Sequence, residues 1–163
     1  MYKLCDNMQY FENQYIKRMD SNSIQSCLTE SLSLCNCIIG VLDFNALKFV
    51  NKVVIKNCVI NELIIYCTWF DGGLTFVNNI VSSDINYEMG GHNNNEIIFL
   101  GNVFNGFFGF FDCHFNECII LKNNIFVKNS DLLVKENKGF DNIFLKGVVL
   151  ENNIGRLDVF KNG

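Results

Sequence analysis

The chain has no proline, one tryptophan, two histidines and little charge: only 18% of its 163 residues are Asp, Glu, Lys or Arg. Scarce charge beside 49% hydrophobic residues excludes a disordered tail, which would be charge-rich and poor in large apolar groups. A net charge of −4 argues against direct nucleic-acid binding, which needs a broad cationic face. No apolar run approaches the roughly 18 residues that span a bilayer. Met1-Tyr2-Lys3-Leu4-Cys5-Asp6 leads into polar residues, not into the apolar core of a secretory leader. These absences point to a cytoplasmic protein with no membrane contact. Eight cysteines permit a disulfide framework, but with no export signal they read as reduced thiols. There is no Cys-x-x-Cys pair, nucleotide loop, nucleophile elbow or metalloprotease motif. No cofactor, metal or catalytic residue is therefore expected.

What is abundant is phenylalanine, which occurs 16 times, and asparagine, which is more frequent still. The length suits one domain, and the phenylalanines can fill a sizeable core. Leu4, Met8, Phe11, Tyr15 and Met19 recur at steps of three and four, which predicts a short amphipathic helix over residues 1–22, ended by Ser21-Asn22-Ser23.

From residue 23 the helical period disappears and repetition takes over. Along every fifth position from Ile60 to Phe160, two thirds of the side chains are Ile, Leu or Phe, and no other register holds more than half as many. A longer period is superimposed. Short apolar runs end just before a small or polar residue at Cys35, Asn57, Asn78, Gly101, Asn123 and Gly147, spaced by 22, 21, 23, 22 and 24. A helix of 3.6 residues per turn cannot keep every fifth residue on one face. Extended segments of three to five residues cannot bury a face alone, but stacked about 4.8 Å apart they share one core. The missing proline fits, because nearly every backbone N–H is then needed between coils. The expected fold is all-β: a right-handed parallel β-helix of about five to six coils spanning 23–163, capped by the N-terminal helix. The polar, glycine-containing stretch at 86–96 is expected to loop out of it.

Cys113-His114-Phe115-Asn116-Glu117, Cys118-Ile119-Ile120-Leu121-Lys122 and Asn123-Asn124-Ile125 form the best tandem of five-residue units. Cys58-Val59-Ile60-Asn61-Glu62 and Thr68-Trp69-Phe70-Asp71-Gly72 also fit. These runs resemble the pentapeptide-repeat proteins, four-sided β-helices whose unit places a small residue two before a central Leu or Phe. The likeness covers roughly residues 24–160. It departs from the family in the residue before the central one, usually polar there but apolar here at Val59, Ile64, Trp69, Phe104, Ile119 and Val149. The resemblance implies a non-catalytic solenoid, often paired through a terminal coil. Some members imitate duplex DNA and bind type II topoisomerases.

Candidate site residues fall in two places. Phe104, Phe107, Phe108, Phe110 and Phe111 crowd around two glycines, and neighbours on a strand point to opposite faces, so part of this cluster is expected to form an exposed docking patch. Glu88, His92 and Glu96 lie in the predicted loop at steps of four, metal-ligand spacing on a helix, although Gly90-Gly91 argues against a helix. Asp71, Asp131, Glu136, Asp141 and Glu151 share one repeat position and predict an acidic stripe, interrupted by Lys146 and Arg156. The function read from the sequence is a protein-interaction or scaffold solenoid acting through its surface. It would bind a protein partner or a second copy, the latter through the C-terminal coil or the Phe patch. The rivals are a topoisomerase-binding DNA mimic and a small polysaccharide-binding or polysaccharide-cleaving β-helix, for which a groove with two carboxylates, or a carboxylate and a base, would be the sign.

Overall fold

The computed structural model describes residues 8–24, 29–136 and 139–161. The chain winds as a parallel β-solenoid of about five coils, each with four sides. On side one, strands Met8–Glu12, Ser31–Cys35, Val53–Lys56, Leu74–Val77, Ile97–Leu100, Ile119–Lys122 and Val148–Glu151 stack in that order as a seven-stranded parallel sheet. Side two is a six-stranded sheet running from Tyr15–Met19 through Ile38–Asp43, Val59–Ile64, Ile80–Val81 and Val103–Phe104 to Ile125–Phe126. Sides three and four are shorter. On side three Ile85–Asn86 pairs with Phe108–Gly109; on side four Lys48–Phe49 pairs with Trp69–Phe70 and His114–Phe115 with Ile143–Phe144.

The sequence encodes this shape through inward pairs two positions apart. In the second coil these are Leu32/Leu34, Cys37/Ile39, Leu42/Phe44 and Leu47/Phe49; in the third they are Val53/Ile55, Cys58/Ile60, Leu63/Ile65 and Thr68/Phe70. Within a coil the pairs step by five. Steps of six place an extra residue at a corner, one in each of these two coils, as from Thr68 to Leu74, and two between Ile97 and Ile119. This is why the five-residue register drifts. Ile80 and Ile125 keep it but point outward, while the adjacent Val81 and Phe126 are buried.

The corner between sides one and two sets the long period. Asn13, Asn36, Asn57, Asn78, Gly101, Asn123 and Asn152 all have left-handed φ between 52° and 67°. Asn and Gly tolerate that conformation best, so they mark the turn. They are spaced by 23, 21, 21, 23, 22 and 29. The true corner residues are thus Asn36 and Asn152, not Cys35 and Gly147.

Two expectations are corrected. No helix occurs among the described residues, and hence none is long enough to cross a membrane. Residues 1–7 of the predicted helix lie outside the described residues, and 8–12 and 15–19 are strands. Phe11 and Ile16, five apart, pack on the core around the Asn13 corner, whereas Met8 and Tyr15 of the supposed apolar stripe are exposed. Pairing with Ser31–Cys35 and Ile38–Asp43 satisfies their backbone across coils, which a helix would forgo. Likewise, 86–96 stays in the coil. Tyr87 N–H donates to Gly109 O, Met89 N–H to Phe111 O and Asn94 N–H to Asp71 O, and Tyr87 is fully buried. The extra length of the final coil lies instead between Leu132 and Asn142. There the step from the inward pair Ser130/Leu132 to Asn142/Phe144 is about twice the usual one.

Buried asparagines run alongside the apolar core. Asn79, Asn102 and Asn124 follow the corner residues, are fully buried, and continue the column begun by Cys37 and Cys58. Each Nδ2 donates to a side-one carbonyl, of Ile55, Phe76 and Phe99 in turn.

Candidate interaction surface

On side two, one residue in each pass of the chain points out. These residues are Tyr15, Ile38, Val59, Ile80, Val103, Ile125 and Ile154, and parallel pairing places each directly over the next. The strand repeat makes this column of seven about 29 Å long. Tyr15 at one end is 72% exposed and Ile154 at the other 64%; the middle rungs shield one another, and Ile80 falls to 41%. None is charged. On one flank stand the exposed corner asparagines; on the other, Gly40, Asn61, Ser82 and Asn105 are small or uncharged, with Lys17 at one end. Scattered exposed apolar residues are ordinary, but a continuous in-register column of them is not.

Side four carries a ring ladder. Trp69 packs on His92 with centroids 4.3 Å apart and the rings tilted by 38°, and His92 stacks on His114 at 5.4 Å. The Lys48 ammonium sits 5.3 Å from the Trp69 ring centre and pairs with Asp71 at 3.0 Å. Burial, then the neighbouring His114, pushes the His92 imidazole below its ordinary range. Because the rings stack along the solenoid axis, their faces are largely spent on each other.

Between sides four and one lies a groove of about 340 Å³. Gly72 and Gly73 leave a gap in the column between Lys52 and Glu96, and Thr75 and Glu117 line the same space. The glycines serve the turn. A Cβ on Gly72 would meet the Asn51 backbone at 2.2 Å, and Gly73 has φ +88°.

The sequence-predicted residues are placed differently. Phe104, Phe108 and Phe110 are fully buried, Phe107 is 6% exposed, and Phe111 is half-buried against Phe140. The Phe cluster is core, not an exposed patch. Phe108 and Phe110 are an inward pair two positions apart, and the corner at Gly106 tucks Phe107 in beside them. Glu88, His92 and Glu96 do not converge. His92 is in the ring ladder, Glu96 in the groove beside side four, and Glu88 in a separate hollow with Phe107 and Phe160. Among the described residues no group of three His, Cys, Asp or Glu is placed to hold a metal. The acidic positions scatter too. Asp71 pairs with Lys48, Glu151 with Lys122, Asp131 accepts the Phe110 N–H, and Asp141 accepts the Glu136 N–H. The six described cysteines are free thiols, and burial raises Cys58 to about 11 and Cys113 to about 12. Both act as small core residues.

Sequence reasoning passes over the side-two column as a site. Its signal is present, since Ile38, Val59, Ile80, Val103 and Ile125 recur with the coil period. Compared with known proteins, the chain matches no family model, no curated protein and no solved structure. The class that stands is a parallel β-solenoid.

Proposed function

We propose that this protein is a non-catalytic interaction solenoid that engages a protein partner through the apolar column on side two. One observation carries the reading: seven uncharged, outward-facing side chains held in register along the length of the molecule. Leaving such a column in water forgoes about 25 cal/mol for every Å² of apolar area a partner would cover. The pentapeptide-repeat identity belongs to the same proposal. It is supported by the five-residue steps and by a small or polar residue before a large one at Cys58/Ile60, Thr68/Phe70, Asn102/Phe104 and Cys113/Phe115. The test is affinity capture on immobilised protein, with the Val59→Lys, Ile80→Lys double variant as its pair. A protein retained by the wild type, a second copy included, and lost by the variant is the expected result. Equal retention by both would overturn the reading.

The groove at Lys52, Glu96 and Glu117 supports a second reading, polysaccharide binding, since it combines a base with two carboxylates in one open channel. Acidic and neutral oligosaccharides titrated against wild type and Glu96→Gln, Glu117→Gln would test it. Binding by the wild type that the double variant loses is expected, and no binding by the wild type discards it.

A further inference from the structure

We infer that the occupant of the side-two column is the same column of a second copy, joined about a two-fold axis. The inference rests on reading the column as a docking surface and adds who docks there. Three observations point to self-pairing. First, the column is apolar from Tyr15 to Ile154 and its flanks between Gly40 and Asn105 carry no charge, so the middle of the column offers a charged partner nothing to pair with. The carboxylates behind the net charge of −4 include Asp43, Asp71 and Glu151, which are held by Arg18, Lys48 and Lys122 outside the column. Two copies therefore meet without like-charge opposition along this face.

Second, the rungs repeat at the strand spacing of about 4.8 Å. A second copy offers the same repeat, so each rung of one column meets a rung of the other over the whole length. A partner without that repeat would match one or two rungs. Third, flat sheets pack face to face at about 10 Å, and small flanking residues such as Gly40 and Ser82 permit that approach. Ile80 is the middle rung, with three rungs on either side. In a two-fold pairing it faces its own counterpart, and the contact closes on itself without leaving a free column to propagate.

A column one to two side chains wide covers less than the roughly 800 Å² per partner of a standard interface. The dimer is accordingly reversible, dissociating in the micromolar range.

Sedimentation velocity from micromolar to sub-millimolar protein tests this. The wild type should convert from monomer to dimer as concentration rises. Ile80→Lys should weaken association at least about tenfold, as loss of a central apolar anchor does, with an unchanged urea midpoint because the residue points into solvent. Leu145→Lys, on an exposed residue outside the column, should leave association unchanged. In a second arm, Ile80→Cys should form a disulfide-linked dimer under mild oxidant faster than the wild type, whose own free thiols serve as background. A wild type monomeric throughout overturns the inference. So does a dimer weakened by Leu145→Lys but not by Ile80→Lys, or an Ile80→Cys dimer that cross-links no faster than wild type. A monomer that still retains another protein, lost by the double lysine variant, overturns self-pairing while leaving the docking surface intact.

Discussion

Asn102 holds Asn79 twice: its Oδ1 accepts the Asn79 backbone N–H at 2.8 Å and the Asn79 Nδ2 at 3.2 Å. Asn124 does the same for Asn102, at 2.9 Å for both. Meanwhile the Asn102 Nδ2 also donates to Phe76 O at 2.8 Å. Neighbouring coils are thus locked by side chains as well as by strand pairing. Asn102→Ala would take this side-chain partner from the Asn79 N–H and the Phe76 carbonyl in a buried place, while the Asn124 Oδ1 keeps the backbone N–H of residue 102. At about 1–3 kcal/mol for each unsatisfied group, a loss above about 2 kcal/mol is expected in urea unfolding. A loss below about 1 kcal/mol, the lower bound for a single such group, would show that the ladder is dispensable.

The corner column makes a conformational prediction. Asn123 is exposed with φ 55°. Asn123→Gly should change stability by only a few tenths of a kcal/mol, whereas Asn123→Val should cost about 1–2 kcal/mol, because a β-branched residue is strained in the left-handed region. Equal midpoints for the two variants would contradict the assignment of this corner.

Burial of the Phe cluster separates core from surface. Phe104 and Phe108 lie with their ring centres 4.9 Å apart and have no exposure. Phe108→Ala should cost about 3–5 kcal/mol, as large aromatic truncations in packed cores do. Phe107→Asp should destabilise as well, since a carboxylate would enter a nearly closed site. Retention of the wild-type urea midpoint by either variant would mean that the cluster is not core.

Acid should weaken the fold through His92. Its ring packs between Trp69 and His114, with Asp71, Lys48 and Asp112 as the other charged neighbours, and burial favours its neutral form. The unfolded chain takes up that proton near pH 6.5, the folded one only at lower pH. Between the two the unfolded state binds more protons, so stability falls with falling pH and levels off below the folded value. The contribution is complete above about pH 6.5. Urea midpoints measured between neutral and mildly acidic pH should show this slope, and His92→Gln should flatten it. An identical slope in the variant would assign the effect to other groups.

The periodicity of the fold is legible because the structure repeats two chemical requirements in every coil: a left-handed corner met by Asn or Gly, and inward pairs of apolar residues. Both recur in the sequence at the coil period through most of the chain. The reading fails where a choice between adjacent positions carries no composition signal. Cys35 stands beside Asn36, and both are plausible corners until φ is known. The spacing of Met8, Phe11, Tyr15 and Met19 satisfies a helix and a bent pair of strands equally, and only pairing with the next coil decides. The Phe cluster misleads because strand alternation does not continue through 104–111. The coil turns a corner there at Gly106, whose Cβ would meet the Ser83 and Asp84 backbone at 2.3 Å. The side-two column is visible as apolar residues that recur with the coil period, but its length emerges only with the stacking register.

The equal steps from Asn36 to Asn57 and from Asn57 to Asn78 have a consequence for how such a chain can grow. Excising 53–73 would join Lys52 to Leu74, which already lies one rung above Val53 on the same side. Every later rung would descend by a single increment with its neighbours unaltered. The reach of the molecule is in that sense a dial with a notch of about 4.8 Å, and the span of surface it presents can be lengthened or shortened by whole turns without inventing a new core.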